Sequence, residues 1–347
     1  MSAPHPAILD YPFAAPPAPG TTLAVAPAVH WLRMPLPFAL DHINLWLLEE
    51  EDGFTLIDCG YGDAPTRALW ETHFTTTMRG RPLVRIIATH YHPDHLGNAA
   101  WLSRRFGCPV TMTQTEFLTA HAVHDERATH GPPDIAALFR AHGMSAEDVA
   151  ALAARGNRYR HGVPELPSSL RRLLPGDEVG AGGGSWQVIA GYGHSPEHAA
   201  LFSVARNVLV AGDMLLPKIS TNVSVWPSDP DGDSLGRFLH SLTAFEDLRP
   251  DALVLPSHGL PFRGIPIRVA ELRAHHDARL AELKEAIIAA RTPVSAAQMV
   301  PILFRRPLDV QQRFFAMGEA IAHLNYLWRR DRVRRTLADD GTLRFAA

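Results

Sequence analysis

The sequence predicts an α/β fold in which short buried strands alternate with helices along most of the chain. Several apolar runs rich in β-branched residues stop at glycine or proline, as buried strands do at their ends. Between these runs, apolar residues recur every three to four positions, which is the period of an amphipathic helix. The 347 residues, 46% of them hydrophobic, are enough to bury a large core. This length fits one large domain with an additional module.

The first hundred residues predict an extended arm followed by strands and helices. Residues 1–20 are rich in proline and alanine, and we expect them to form an arm that packs on the body or on a partner subunit. The pair Asp52-Gly53 is typical of a hairpin turn between two strands. The predicted strands are Leu23–Val29, Ile43–Glu49, Phe54–Asp58 and Val84–Ala88, and the predicted helices run over about 64–78 and 96–106.

The segment after the strand Val84–Ala88 reads His90-Tyr-His92-Pro-Asp94-His95. Three imidazoles and a carboxylate within six residues are the ligands that zinc and neighbouring divalent metals prefer. The sequence therefore predicts a metal site at the end of this strand. Four ligands are too few for two metal ions, so a dinuclear site needs further ligands from elsewhere in the chain.

Residues 114–174 form a segment longer than a plain connection between strands. Their periodicity predicts a helical insertion that lies over the metal site and shapes the substrate pocket, although no individual substrate-binding residue is identified. Its tail, 155–161, is locally basic and is either a solvated helix end or an anion-binding segment. The expected helices are Gln114–His124, Asp134–Ala141 and Ala146–Ala154, the last with Ser145 as N-cap.

The strands that follow the insertion offer the missing metal ligands. His194, Asp213 and His258 each follow a short apolar run. Taken alone, His258 could end a strand and Asp213 could be a turn residue, but beside the motif at 90–95 both are more simply metal ligands. The predicted strands are Trp186–Ala190, Ala200–Val204, Val208–Ala211 and Ala252–Leu255, with a helix over about 235–248.

The last eighty residues predict three helices and a small hairpin. The helices are expected at Pro266–Ala290, Ser295–Leu303 and Asp309–Arg329, and the hairpin joins Arg332–Leu337 to Thr342–Phe345. This order is typical of a winged-helix module, which either binds nucleic acid or serves in packing and dimerisation. Because the chain is acidic overall, packing is favoured over nucleic-acid contact. Five arginines cluster before the hairpin, namely Arg329, Arg330, Arg332, Arg334 and Arg335.

Together these ligands and their spacing resemble the metallo-β-lactamase fold superfamily over about residues 22–262. The resemblance implies a four-layer αββα sandwich over residues 21–264, with the helical insertion at about 114–174. The region 265–347 resembles the helical, winged-helix-like C-terminal domain found on lactamase-like two-domain hydrolases. Residues 1–20 remain the N-terminal arm.

The resemblance also implies a dinuclear centre. His90, His92 and His194 would bind one metal, and Asp94, His95 and His258 would bind the other. Asp213 would bridge the two metals, while Asp58 would order the ligand loops from behind; on its own it could equally cap the next helix. The metals would share a bridging hydroxide that attacks the substrate, with Asp94 orienting it and Asp213 holding both ions. Zinc is expected, and iron and manganese are alternatives.

The implied activity is hydrolysis of a small ester, thioester or lactone. A bridging Asp213 resembles the glyoxalase II and lactonase branches, whereas β-lactamases of this fold lack an aspartate bridge. The chain departs from the usual glyoxalase II pattern, because Gly193-His194-Ser195-Pro196-Glu197-His198 replaces Gly-His-Thr-x-Gly-His. The alternatives are a phosphodiesterase or ribonuclease, a mononuclear iron dioxygenase acting on a persulfide, and a non-enzymatic binder.

Composition bounds the setting in which the protein works. A net charge of −3 argues against a polyanionic partner. The two cysteines, Cys59 and Cys108, cannot form a disulfide framework and fit buried thiols in a reducing cytosol. We found no apolar stretch long enough to span a membrane and no convincing signal peptide. We therefore expect a cytoplasmic enzyme with a small-molecule substrate and no membrane partner; a homodimer is an open alternative.

Overall fold

The computed structural model describes residues 8–347 and contains two large β-sheets that lie face to face. The first sheet has seven strands in chain order, β1 (Leu23–Ala26), β2 (Val29–Pro35), β3 (His42–Glu49), β4 (Phe54–Ile57), β5 (Leu83–Ile87), β6 (Val110–Thr113) and β7 (Arg171–Leu173). Pairing is antiparallel from β1 to β4 and parallel from β4 to β7.

The second sheet has five strands, and each strand lies beside its neighbours in the sequence. Its strands are β8 (Glu178–Ala181), β9 (Gly184–Gly191), β10 (His198–Ser203), β11 (Val208–Gly212) and β12 (Leu253–Pro256), with β12 and β8 at the two edges. The inner faces of the two sheets share one apolar core, in which Trp31, Trp46 and Trp186 are almost completely buried. Burial of such large side chains holds the sheets together.

Helices cover the outer face of each sheet, which confirms the predicted αββα layering. Trp70 and Phe74 of one helix pack on the first sheet, and Phe238 of another packs on the second. The helices are α1 (Ala64–Thr75), α2 (Pro93–Leu96), α3 (Ala99–Phe106), α4 (Gln114–His124), α5 (Pro132–Ala141), α6 (Ala146–Ala153), α7 (Tyr159–Gly162), α8 (Ser234–Ser241), α9 (Thr243–Glu246), α10 (Ile265–Ala290), α11 (Ala296–Leu303) and α12 (Val310–Trp328).

The predicted strand Leu23–Val29 is wrong, because the chain turns there and forms the hairpin of β1 and β2. Ala28 adopts φ 60°, a left-handed conformation that alanine seldom takes, so no glycine marks the turn in the sequence. The short strands β6, β7 and β8 were also not predicted. The predicted helix at 96–106 begins later, at Ala99, after a separate helical turn that ends at Leu96, and the predicted helix at 235–248 is divided at Leu242.

One part of the insertion lies beside the loops of the candidate metal site, and another part packs on the C-terminal region. The sequence predicted instead that the whole insertion lies over the metal site. Within the insertion, α4 and α7 border the loops that carry the motif at 90–95, whereas β7 joins the first sheet. The helices α5 and α6 pack on α12: the rings of Phe139 and Phe314 lie 5.7 Å apart, and Asp148 pairs with Arg313. The middle of the insertion, α5 and α6, therefore packs on the C-terminal region.

The C-terminal region has the predicted order of three helices and a hairpin, with β13 (Arg334–Leu337) paired to β14 (Leu343–Ala346). Ser295 and Asp309 cap α11 and α12, each in a reciprocal bond with a glutamine three residues on. The three helices share one apolar core with the outer face of the second sheet. The boundary at residue 264 stays a prediction, because packing is continuous across it.

The N-terminal arm runs along the body where it is described. Asp10 pairs with Arg263 through backbone hydrogen bonds of 3.2 and 2.8 Å, and the ring of Phe13 packs edge-on against Trp31. Residues 1–7 of the predicted arm lie outside the described residues. Within residues 8–347, every helix is too short or too polar to cross a membrane.

A buried histidine pair predicts acid sensitivity. His276 Nδ1 donates to His323 Nε2 at 3.2 Å, because His323 Nδ1 already donates to the Glu319 carbonyl. Burial lowers the pKa of His276 to about 3 and that of His323 to about 4. The two imidazoles bind protons near pH 6.5 in the unfolded chain but not in the folded chain. Their contribution to the free energy of unfolding is therefore fully present above pH 6.5 and is lost progressively as the pH drops toward 4. Each histidine contributes up to ~1.4 kcal/mol per pH unit.

Urea unfolding of the metal-free protein between pH 7 and 4.5 measures this effect. The variant His276→Leu should show a shallower loss of unfolding free energy with acid than the wild type. The variant of an exposed histidine, His240→Leu, is the control and should keep the wild-type slope. Equal slopes for all three proteins would contradict the prediction.

Candidate metal centre

The predicted ligands meet at one edge of the sandwich, where β5, β9, β11 and β12 all end. Backbone hydrogen bonds hold this edge together: Ala199 N–H, at the start of β10, donates to Thr89 O after β5 at 2.8 Å, and Ser257 N–H after β12 donates to Gly212 O of β11 at 3.1 Å. Gly212 has φ 54°, and a Cβ there would lie 2.2 Å from His198 Nε2. Only glycine therefore lets β11 turn into the site at this point.

Three of the predicted ligands, all histidines, form the first group. His90 Nε2 lies 2.9 Å from His92 Nδ1 and 3.2 Å from His194 Nε2. His90 is completely buried, and His194 is nearly so. These residues come from the motif and from the loop after β9, as the sequence predicts.

The second group consists of Asp94, His95 and His258. Asp94 Oδ2 lies 3.6 Å from His95 Nε2 and 3.4 Å from His258 Nε2. The side chain of Asp94 is 16% exposed, which makes it the most open of the three. It therefore faces the mouth of the site, while the two imidazoles form its floor.

Asp213 lies between the two groups and turns one carboxylate oxygen toward each. Its Oδ2 is 3.3 Å from His194 Nε2 in the first group. Its Oδ1 is 3.5 Å from both His95 Nε2 and His258 Nε2 in the second. This is the arrangement expected of a carboxylate that bridges two metal ions.

The spacing and the unsatisfied atoms fit metal ions. Ligand atoms around a tetrahedral zinc, with bonds of about 2.1 Å, lie about 3.4 Å apart, close to the separations here. His95 Nε2 and Asp213 Oδ1 are buried without a hydrogen-bond partner. A buried polar atom without a partner lowers the stability of the folded state unless a ligand such as a metal ion binds it. The donor set, imidazole nitrogen and carboxylate oxygen, suits zinc, iron or manganese.

A second layer of acceptors fixes the orientation of each imidazole. His95 Nδ1 lies 2.8 Å from Asp58 Oδ2, which leaves Nε2 for a metal. His194 Nδ1 donates to the Asn222 carbonyl at 2.8 Å, and His258 Nδ1 donates to the His42 carbonyl at 2.7 Å. Bonds of this kind fix the tautomer and the ring angle of metal-binding histidines.

Asp58 is the centre of this second layer. Its Oδ1 accepts from the backbone N–H of Thr89 at 2.8 Å, and the Thr89 hydroxyl contacts both of its oxygens at 3.0 Å. Asp58 adopts φ 60°, a left-handed conformation that aspartate tolerates better than most residues. The alternative that it caps the next helix is wrong, because Asp63 fills that role with a bond to Thr66 N–H.

The buried charges set the protonation of the metal-free site. Burial and the neighbouring His95 lower the pKa of His90. Burial would lower that of His95 as well, but Asp58, Asp94 and Asp213 outweigh it and raise the pKa to about 10. For Asp213, burial is outweighed by His258 and His95, so its pKa falls well below the usual range. Asp213 thus stays ionised, and a metal at His95 must displace a proton.

Glu116 is a site residue that the sequence analysis missed. This buried carboxylate accepts from the Ser195 hydroxyl at 2.7 Å, from Glu197 N–H at 2.6 Å and from Tyr91 N–H at 3.0 Å. It thereby links the motif at 90–95 to the loop that carries His194. Its only signal in the sequence is an acidic residue in the first turn of a helix, which is common at any helix start.

Thr89, His42 and Asn222 were also missed. They act through hydroxyl or backbone groups and have no recognisable spacing in the sequence. The four histidines of the insertion, His121, His124, His130 and His142, lie outside the metal groups found among the described residues. The ligand roles of the seven predicted residues and the ordering role of Asp58 stay predictions that this geometry supports.

Comparisons with known proteins agree with this geometry. A family model described as the metallo-beta-lactamase superfamily matches residues 39–258, and one described as a metallo-beta-lactamase-like C-terminal domain matches residues 280–347. A solved structure of a beta-lactamase domain protein from Burkholderia ambifaria is 47% identical to the chain. The likeness covers 97% of this chain and 98% of that one, with a TM-score of 0.90.

Two curated relatives are more distant. The probable metallo-hydrolase YqjP of Bacillus subtilis is 23% identical over 308 residues, which cover 85% of this chain and 91% of that protein. The hydroxyacylglutathione hydrolase of Idiomarina loihiensis is 23% identical over 177 residues, which cover 51% of this chain and 48% of that protein.

Replacement of Asp58 tests the second layer. Asp58→Ala leaves His95 Nδ1 and Thr89 N–H without their acceptor, so we expect zinc affinity to fall about 10- to 100-fold. A competitive titration of metal-free protein against a chromophoric chelator measures this change. Asp63→Ala is the matched control: it removes a helix cap, costs about 1 kcal/mol of stability and should leave zinc affinity unchanged. Equal zinc affinity in the two variants would contradict the role of Asp58 in orienting the predicted ligands.

Proposed function

Because the chain belongs to the metallo-β-lactamase superfamily, we propose that it hydrolyses a small ester, thioester or lactone at a dinuclear metal centre. The family model and the solved structure confirm the superfamily resemblance and the fold class predicted from the sequence. The chain is a metal-dependent hydrolase with a cluster of histidine and aspartate ligands. The number of metals, their identity and the bond that is cleaved belong to the proposal.

One observation carries the dinuclear assignment. Asp213 turns Oδ2 toward one group of ligands and Oδ1 toward the other, so a single carboxylate can hold both metals. Each group is complete, which supports hydrolysis over a mononuclear iron oxygenase and over a degenerate binding site. We expect zinc in both positions, with iron or manganese as alternatives.

Bound divalent metals supply a water of lowered pKa and a Lewis acid for the substrate carbonyl. The protein orients the reacting groups. Asp94, at the mouth of the site, would hold a metal through Oδ2 and orient the attacking water through its second oxygen. Asp213 stays ionised in this buried place and would keep both ligand groups in register. The buried imidazoles exclude bulk water from the floor of the site.

Charge pairing at the C-terminus supports a small substrate over nucleic acid. Three of the five clustered arginines are engaged by the aspartate-rich loop before α8. Arg330 pairs with Asp233 at 3.0 Å, Arg335 pairs with Asp231 at 2.7 Å, and Arg329 donates to the Asp231 carbonyl. Guanidinium groups already paired with carboxylates neutralise few phosphates. The partial likeness to a hydroxyacylglutathione hydrolase adds modest support for a thioester.

The cytosol is the proposed location. Cys59 and Cys108 are both buried free thiols, and burial raises the pKa of each. Such thiols are inert and suit a reducing compartment.

Metal content is the first test of the proposal. Protein purified without added metal should carry about two metal ions per chain by plasma mass spectrometry. His92→Ala should lose metal, whereas His121→Ala, which changes a histidine outside the ligand groups, should keep both ions. One iron per chain would favour the oxygenase. No metal after reconstitution with zinc, iron and manganese would favour a binding role.

Replacement of the bridging residue tests the chemistry. Asp213→Ala should lower kcat/KM by more than about 100-fold on whichever of a panel of esters, thioesters and lactones the wild type hydrolyses. A variant that kept two metals and full turnover would refute the site. If the wild type instead cleaves RNA, with an affinity that falls steeply with salt, the phosphodiesterase alternative replaces the proposal.

A further inference from the structure

A long loop beside the metal centre is held by the C-terminal helices. Residues 213–233 connect β11 to α8 without forming a strand or a helix. On α10, the buried guanidinium of Arg268 donates to the carbonyls of Leu216 and Ile219, at 2.6 and 2.9 Å. The first half of the loop is therefore fixed by a helix that lies outside the two sheets.

The second half of the loop is fixed by α12. Asn222 Nδ2 donates to Glu319 Oε2 at 3.0 Å, and the Ser224 hydroxyl donates to Asn222 Oδ1 at 2.8 Å. Val225 N–H donates to the Gly318 carbonyl at 3.3 Å. A Cβ at Gly318 would lie 2.6 Å from Ser224 Oγ, so glycine is what lets the loop approach the helix this closely.

The held residue is also the one that orients a metal ligand. The backbone carbonyl of Asn222 accepts from His194 Nδ1 at 2.8 Å, and His194 Nε2 lies 3.3 Å from Asp213 Oδ2. A continuous series of contacts therefore runs from Glu319 through Asn222 and His194 to the carboxylate shared by both ligand groups. Each step is short, and His194 and Asp213 are largely buried.

We propose that Glu319 is a positioning residue for the metal centre, because it holds Asn222 in the place from which its carbonyl orients His194. This inference rests on the proposed function, since it needs metal at His194. The C-terminal region then contributes directly to the zinc affinity and the ligand geometry of the metal site. Burial raises the pKa of Glu319 to about 7, with the Asn222 amide and Arg279 opposing it. Either protonation state offers an oxygen to the amide, so glutamine should replace this glutamate.

Zinc affinity of single variants tests the proposal. Glu319→Ala should weaken the site that includes His194 about 10- to 100-fold. Glu319→Gln keeps an acceptor oxygen and should stay close to the wild type. Glu285→Ala, at an exposed glutamate of α10, is the matched control. Competitive titration gives the affinities, the cobalt-substituted absorption spectrum reports ligand geometry, and thermal unfolding without metal checks the fold.

A role exchange keeps the test decisive if Glu319→Ala fails to fold. Asn222→Asp sets a second carboxylate against Glu319 and should weaken zinc binding. Adding Glu319→Gln restores an amide and a carboxylate with their positions reversed, and should recover most of the affinity.

The outcomes separate this inference from the proposed function. Unchanged zinc affinity in Glu319→Ala, or no recovery in the double variant, would overturn the positioning role while the wild type still binds two metals. A wild type that binds no metal would remove the proposed function, and the inference with it. A lower affinity restored by the exchange, at an unchanged melting temperature, would establish the role.

Discussion

The shared carboxylate of Asp213 is the constraint on which the rest of the site depends. A buried anion between several imidazoles is tolerable only where cations or protons offset it and where its oxygens are directed. The strand ends meet these needs: β11 delivers Asp213 through a glycine turn, and β5, β9 and β12 bring histidines to both sides. The sandwich brings residues far apart in sequence into one compact group of candidate ligands.

The ligands are in turn set by partners that belong to different parts of the fold. Asp58 comes from the end of β4, His42 from the start of β3, and Asn222 from the loop held by α10 and α12. Glu116, from the insertion, ties the loop of His194 to the motif at 90–95. The insertion and the C-terminal region therefore support the centre from behind, in addition to packing on one another.

The sequence predicted which residues meet at the candidate site, and the layering, because both leave local marks. His90 to His95 lie within six residues, and His194, Asp213 and His258 each follow an apolar run. The hairpin at Ala28 could not be predicted, since its left-handed turn carries no glycine. Glu116 and Asn222 could not be predicted either, because their roles arise from contacts across 79 and 28 residues of sequence. The destination of α5 and α6 depends on tertiary packing that periodicity does not encode.

The hydrogen bonds between Asn44 and the segment at the end of β12 have a consequence for biosynthesis. The Asn44 side chain donates to the carbonyls of Pro256 and Gly259, more than two hundred residues later, at 2.8 and 3.0 Å. On the ribosome, the motif at 90–95 emerges long before His258 and the helices that follow. Contacts of such wide sequence separation form late in folding. The nascent chain thus exposes a partial histidine cluster to cellular metal well before the remaining predicted ligands are in place.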